Sequence, residues 1–141
     1  MGAIRKLFAI FLVGIALIVA VHFVFDSFYR EALDTVDVWG ILDWPIAVAI
    51  VVALVVHMQR KLALDRESEQ AVDRKYVEVN VATYATFFLA LWFFSNWFNF
   101  LNFGTEGEST ANLVVWAIVD ALVVLVLGAT GLSLWREGDA S

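Results

Sequence analysis

The sequence predicts an all-α integral membrane protein with four transmembrane helices in two antiparallel hairpins. Of its 141 residues, 62% are hydrophobic, whereas soluble domains are roughly 45–50% apolar. The apolar residues form four long runs, at 7–25, 41–58, 76–103 and 113–135. A helix needs about 17–25 such residues to cross a bilayer, so each run is long enough to form one span.

The distribution of basic residues orients these spans. With four spans, the two termini and the loop 59–75 fall on one side of the membrane. Eight of the nine Lys and Arg residues lie on that side, and the exception is Arg30. Short cytoplasmic loops carry an excess of Lys and Arg. We therefore expect both termini and the charged loop 59–75 to face the cytoplasm. The residues on that side are Arg5, Lys6, Arg60, Lys61, Arg66, Arg74, Lys75 and Arg136.

Composition excludes several classes of protein. The absence of cysteine excludes disulfides and Cys-ligated metal centres. A net charge of −6 does not suit nucleic-acid binding, which needs a basic patch. Little chain remains outside the spans, so residues 1–141 are predicted to form a single transmembrane domain. The acidic, Ala/Val-rich composition favours a prokaryotic inner membrane, where bound lipid is expected.

The start of the second span and the charged loop carry local helix signals. Asp43 precedes Pro45 at this start, where proline is tolerated and an acidic side chain can cap free N–H groups. No Gly or Pro interrupts the chain between Pro45 and Gly104. We expect the second and third spans to continue as helices beyond the membrane, with Lys61 and Asp65 paired at i,i+4.

The third and fourth spans carry an intramembrane polar cluster of Asp120, Asn96, Asn99 and Glu78. In a hairpin centred near residue 108, Asp120 and Asn96 lie at equal depth, and Asp120 is about 12 Å below the outer end. An ionisable group in a span is costly, so it is a functional candidate. Three interpretations stay open: a carboxyl hydrogen-bonded to Asn96 or Asn99, a proton or cation site, and a contact to another subunit.

Helical periodicity assigns faces to these two spans. We expect the polar half of the third span to turn inward and its aromatic half to face lipid or a partner. On the fourth span, Asp120 shares a face with small residues that permit close helix contact. The polar half comprises Glu78, Tyr84, Ser95, Asn96, Asn99 and Asn102, the aromatic half Phe87, Phe93, Phe94, Trp97 and Phe98, and the small face Ala117, Ala121, Gly128 and Gly131.

The histidines suggest a weaker candidate site. His22 and Asp26 share a helix face at i,i+4, and Asp43 lies at similar depth on the second span. An imidazole and two carboxylates can bind a divalent metal. The alternative is an interfacial His22, a solvated Asp26 and a capping Asp43. His57 is expected at the cytoplasmic interface, too far from His22 to share a haem.

No catalytic motif accompanies these features. The sequence lacks G-x-S-x-G, H-E-x-x-H and a phosphate-binding glycine loop. Our first hypothesis is therefore a non-catalytic accessory subunit of a larger membrane complex, of respiratory or oxygenase type. Its partners would be other integral membrane subunits, packed on the aromatic third helix and the small-residue fourth helix. The alternative is a small homo-oligomeric ion-coupled transporter or channel that uses Asp120.

Overall fold

The computed structural model describes residues 2–29, 31–32, 36–66, 73–104 and 109–139. Its elements are four α-helices, and each is long and apolar enough to span a membrane. At about 1.5 Å per residue they exceed the ~30 Å hydrocarbon core. The all-α class and the four candidate spans are confirmed. The helices are α1 Gly2–Tyr29, α2 Val38–Arg66, α3 Arg74–Phe103 and α4 Thr110–Asp139.

The start of α2 differs from the sequence prediction. The helix begins at Val38, and the Asp37 Oδ1 atom accepts a hydrogen bond of 2.9 Å from the Gly40 backbone N–H. Asp37 therefore caps the helix. The prediction that Asp43 is the cap is wrong, because Asp43 lies inside the helix and is buried. Pro45 is also internal, so the Ile41 carbonyl lacks its usual N–H partner.

The charged region between the second and third spans is partly helical, as expected. Helix α2 continues to Arg66, and Lys61 Nζ lies 3.3 Å from Asp65 Oδ2. Helix α3 begins after Asp73, whose Oδ1 atom accepts a hydrogen bond of 2.7 Å from the Tyr76 N–H. The middle of the predicted loop, 67–72, lies outside the described residues.

The helices pack chiefly as two pairs, α1 against α4 and α2 against α3. Gly131 permits the first pairing. A Cβ atom at this position would lie 2.7 Å from Val13 Cγ2 and 3.0 Å from the Ala9 carbonyl oxygen. Gly131 belongs to the predicted small-residue face, and it brings the two backbones close together.

The burial pattern of α3 differs from the prediction, because part of its aromatic half is buried, although Phe87 and Phe98 are exposed. Phe93 is completely buried and Trp97 nearly so, whereas Tyr84 is 61% exposed. The prediction that the polar half turns inward is therefore wrong. Asn96 Nδ2 donates to the Trp92 carbonyl of its own helix at 2.8 Å, so part of its hydrogen-bonding capacity is used within α3. The buried residues of α3 are Thr83, Thr86, Leu89, Ala90, Phe93 and Trp97.

Candidate functional site: an acidic cavity at one end of the bundle

A cavity of about 550 Å³ lies where the ends of all four helices meet. It is at the end of the bundle opposite the chain termini. Its walls combine carboxylates with aromatic rings, and no Lys or Arg is among the described residues that line it. The carboxylates are Asp26, Asp37, Asp43 and Asp120, and the aromatic residues are Phe23, Trp39, Phe100 and Trp116.

Asp43 and Asp120 form the inner part of this cavity. Each is only 6% exposed. Within the described part of the chain, neither makes a hydrogen bond or an ion pair. The two carboxylates line the same cavity, and Asp37 lines it with them. Buried polar groups normally have partners because desolvation is costly, so this pair is a candidate binding site.

Helix α1 supplies the opposite wall. Asp26 lines the cavity, and its Oδ1 atom lies 4.0 Å from His22 Nε2. His22 is buried behind the wall, where its ring centroid is 4.4 Å from that of Trp39. The His22 Nδ1 atom is hydrogen-bonded to the Tyr29 hydroxyl. His22 therefore supports Trp39 and Asp26 from outside the cavity.

The predicted metal residues are only partly brought together. Asp26 and Asp43 line the same cavity, whereas His22 does not. Among the residues that the structure describes, no group of three or more His, Cys, Asp or Glu side chains could hold a metal ion. The arrangement presents carboxylates around an open volume rather than ligands that converge on one point.

The predicted polar cluster around Asp120 is dispersed. No hydrogen bond joins Asp120 to Asn96 or Asn99 within the described ranges, and Asn99 is exposed. Glu78 Oε1 instead accepts from Arg74 Nε at 2.6 Å, near the other end of the bundle. Of the four residues, only Asp120 lines the acidic cavity. Its buried neighbour is Asp43, which the sequence had suggested only as a cap or a metal ligand.

A second cavity, of about 700 Å³, lies between α2, α3 and α4 towards the opposite end. His57 lines it and is only 4% exposed, so its side chain lies inside the bundle and not on its surface. The Thr130 hydroxyl donates to the Val126 carbonyl at 2.6 Å and lies 2.8 Å from His57 Nε2. Nε2 is therefore the donor to Thr130. The threonines within apolar runs were the only sequence signal for this contact.

Comparison with known proteins assigns no family. No protein-family model matches the chain, and neither a curated protein nor a solved structure matches it.

Proposed function

We propose that this chain binds a cation in its acidic cavity and acts as a small homo-oligomeric ion-coupled transporter or channel. The observation that carries the proposal is the buried, unpartnered pair Asp43 and Asp120. Carboxylates within membrane spans are rare and typically mark ion pathways or proton relays. A bound proton or cation would offset the repulsion between the two charges.

The proposed orientation places the termini and residues 59–75 in the cytoplasm. It rests on the excess of Lys and Arg beside those helix ends. The acidic cavity then opens on the outer side, and the cavity containing His57 lies on the inner side. Buried polar groups thus line a cavity towards each end of the bundle.

Flux in proteoliposomes tests the transport proposal. We expect the wild-type protein to carry proton or monovalent-cation flux, and Asp120→Asn to reduce that flux at least tenfold. Asp65→Asn, an exposed carboxylate outside the cavity, is the matched control and should retain it. Normal flux through a correctly folded Asp120→Asn protein would exclude Asp120 as the coupling group.

The second candidate is an accessory subunit of a larger membrane complex, and a surface of α3 favours it. Exposed side chains recur on this helix at spacings of three and four residues, as in a helix-packing seam. Aromatic residues are enriched in protein interfaces. The small Ser95 stands between Leu91 and Phe98, where it would permit close approach of a partner helix. The seam comprises Val81, Tyr84, Phe88, Leu91, Ser95 and Phe98.

Native gel separation after extraction in mild detergent tests this second candidate. A subunit should migrate with several different polypeptides, identified by mass spectrometry. Ser95→Trp should release it from them, whereas Val48→Trp, on an exposed face of α2, should not. Migration as a single chain or a homo-oligomer would contradict the subunit proposal.

A further inference from the structure

We propose that the ligand of the acidic cavity is an organic cation of the alkylammonium class, such as a quaternary ammonium. This inference rests on the proposed function, since it names the substrate class of the same site. The wall of the cavity contains four carboxylates and four aromatic side chains.

The aromatic residues provide the first argument. Phe23 comes from α1, Trp39 from α2, Phe100 from α3 and Trp116 from α4, so every helix contributes one ring. Aromatic faces attract cations, most strongly Trp, and cages of such rings recognise quaternary ammonium groups. A small hydrated ion would gain little from these walls. An alkylammonium ion has both the charge and the apolar surface that they match.

The carboxylates provide the second, independent argument. Asp43 and Asp120 are more than nine-tenths buried, line the cavity and have no partner among the described residues. A monovalent organic cation would offset one of these two negative charges without needing any coordinate bond. No group of three or more His, Cys, Asp or Glu side chains in the described ranges could hold a metal ion, and the carboxylates instead line an open volume.

The volume provides the third argument. About 550 Å³ lies within the roughly 300–1,000 Å³ range typical of small-molecule sites. The cavity extends from the buried pair to the exposed Asp37 and the half-buried Asp26 near the helix ends. An ammonium group can therefore enter along a carboxylate-lined path and reach Asp43 and Asp120, with its alkyl groups against the rings.

Equilibrium binding of benzyltrimethylammonium to the purified full-length protein in nonionic detergent tests the inference. We expect saturable binding that weakens at least tenfold in Asp120→Asn and in Trp116→Leu. Trp116→Phe should retain most of the affinity, because it keeps an aromatic face. The matched controls, Asp65→Asn and Trp135→Leu, change residues outside the cavity and should bind as the wild type does.

Two outcomes would overturn the inference: no saturable binding to wild-type protein, or affinity unchanged in a folded Trp116→Leu variant. Size-exclusion profiles of all variants verify folding. The flux assay separates this inference from the proposed function. Asp120-dependent flux of protons or inorganic cations without ammonium binding would refute the inference alone. Ammonium binding without any flux would support the site and refute transport.

Discussion

His57 and Thr130 form a buried polar contact between α2 and α4. The same histidine's backbone carbonyl accepts from the Thr83 hydroxyl at 3.3 Å, which adds a link to α3. Three helices thus meet at one residue. Hydrogen bonds between membrane helices contribute about 0.6–2 kcal/mol each, so the contact stabilises the packing moderately.

Thr130→Val tests the stabilising role of this contact. The variant keeps the side-chain shape but leaves His57 Nε2 without its acceptor, so we expect the free energy of unfolding to fall by about 1–2 kcal/mol. Denaturation of the purified protein in mixed micelles measures the change. Thr110→Val, at the exposed start of α4, should have almost no effect. Equal stability of both variants would show that the contact contributes nothing.

Two aspartates near the start of α2 explain why the sequence predicted the wrong N-cap for this helix. Both Asp37 and Asp43 precede residues suited to a first helical turn. The Gly40 N–H donates a hydrogen bond to Asp37, which is therefore the cap. Asp43 is buried in the wall of the acidic cavity. An aspartate caps a helix only if its carboxylate reaches a free backbone N–H. The sequence pattern of an acidic residue before a helical segment fits both aspartates, so it could not identify the cap.

At the scale of the helices, α3 shows that polarity did not predict the inward face. Phe93 and Trp97 fill the volume between helices, whereas Ser95 and Asn99 are exposed. Lipid tails are as apolar as a protein core, so the transfer free energy of a phenylalanine is similar in lipid and in the bundle interior. Shape and volume at the helix contacts decide the face. Polar side chains near a helix end can remain outside, since headgroups and water are close there.

The α1–α4 pair allows a matched glycine comparison. Gly131→Ala would place a methyl group against Val13 and the Ala9 backbone, and we expect a loss of about 1–3 kcal/mol in unfolding free energy. Gly14→Ala meets nothing within 4 Å, so it should be neutral or stabilising by up to about 1 kcal/mol. Thermal unfolding in detergent compares the two variants. A destabilised Gly14→Ala with an unaffected Gly131→Ala would contradict the observed packing.

At the scale of the whole molecule, charged pairs gather at the end that holds the termini. Arg60 Nη2 lies 2.6 Å from Glu137 Oε1, and Lys6 Nζ lies 2.7 Å from Asp139 Oδ1. These pairs join the end of α4 to α1 and α2. They are partly exposed, so each contributes at most about 1 kcal/mol to stability. The opposite end holds the acidic cavity, so the two ends differ in the charges that the described residues carry.

The absence of cysteine makes the orientation directly testable. We expect Ser109→Cys, between α3 and α4, to react with a membrane-impermeant maleimide in intact cells. Arg66→Cys, at the end of α2, should react only after the membrane is permeabilised. Both positions are exposed, so accessibility within the protein is matched. The reverse labelling pattern would invert the proposed topology and place the acidic cavity inside.

The sequence by itself determined the class, the number of helices and most of their extent. Those properties depend on the length of apolar runs and on local breakers, which are properties of neighbouring residues. The tertiary structure alone decided that Asp120 shares a cavity with Asp43 and not with Asn96, and that His57 contacts Thr130. These contacts depend on helix rotation and pairing. In a bilayer, hydrophobicity distinguishes the inside of the bundle from its lipid-facing surface only weakly. Close packing of side chains therefore sets the rotation and the pairing of the helices.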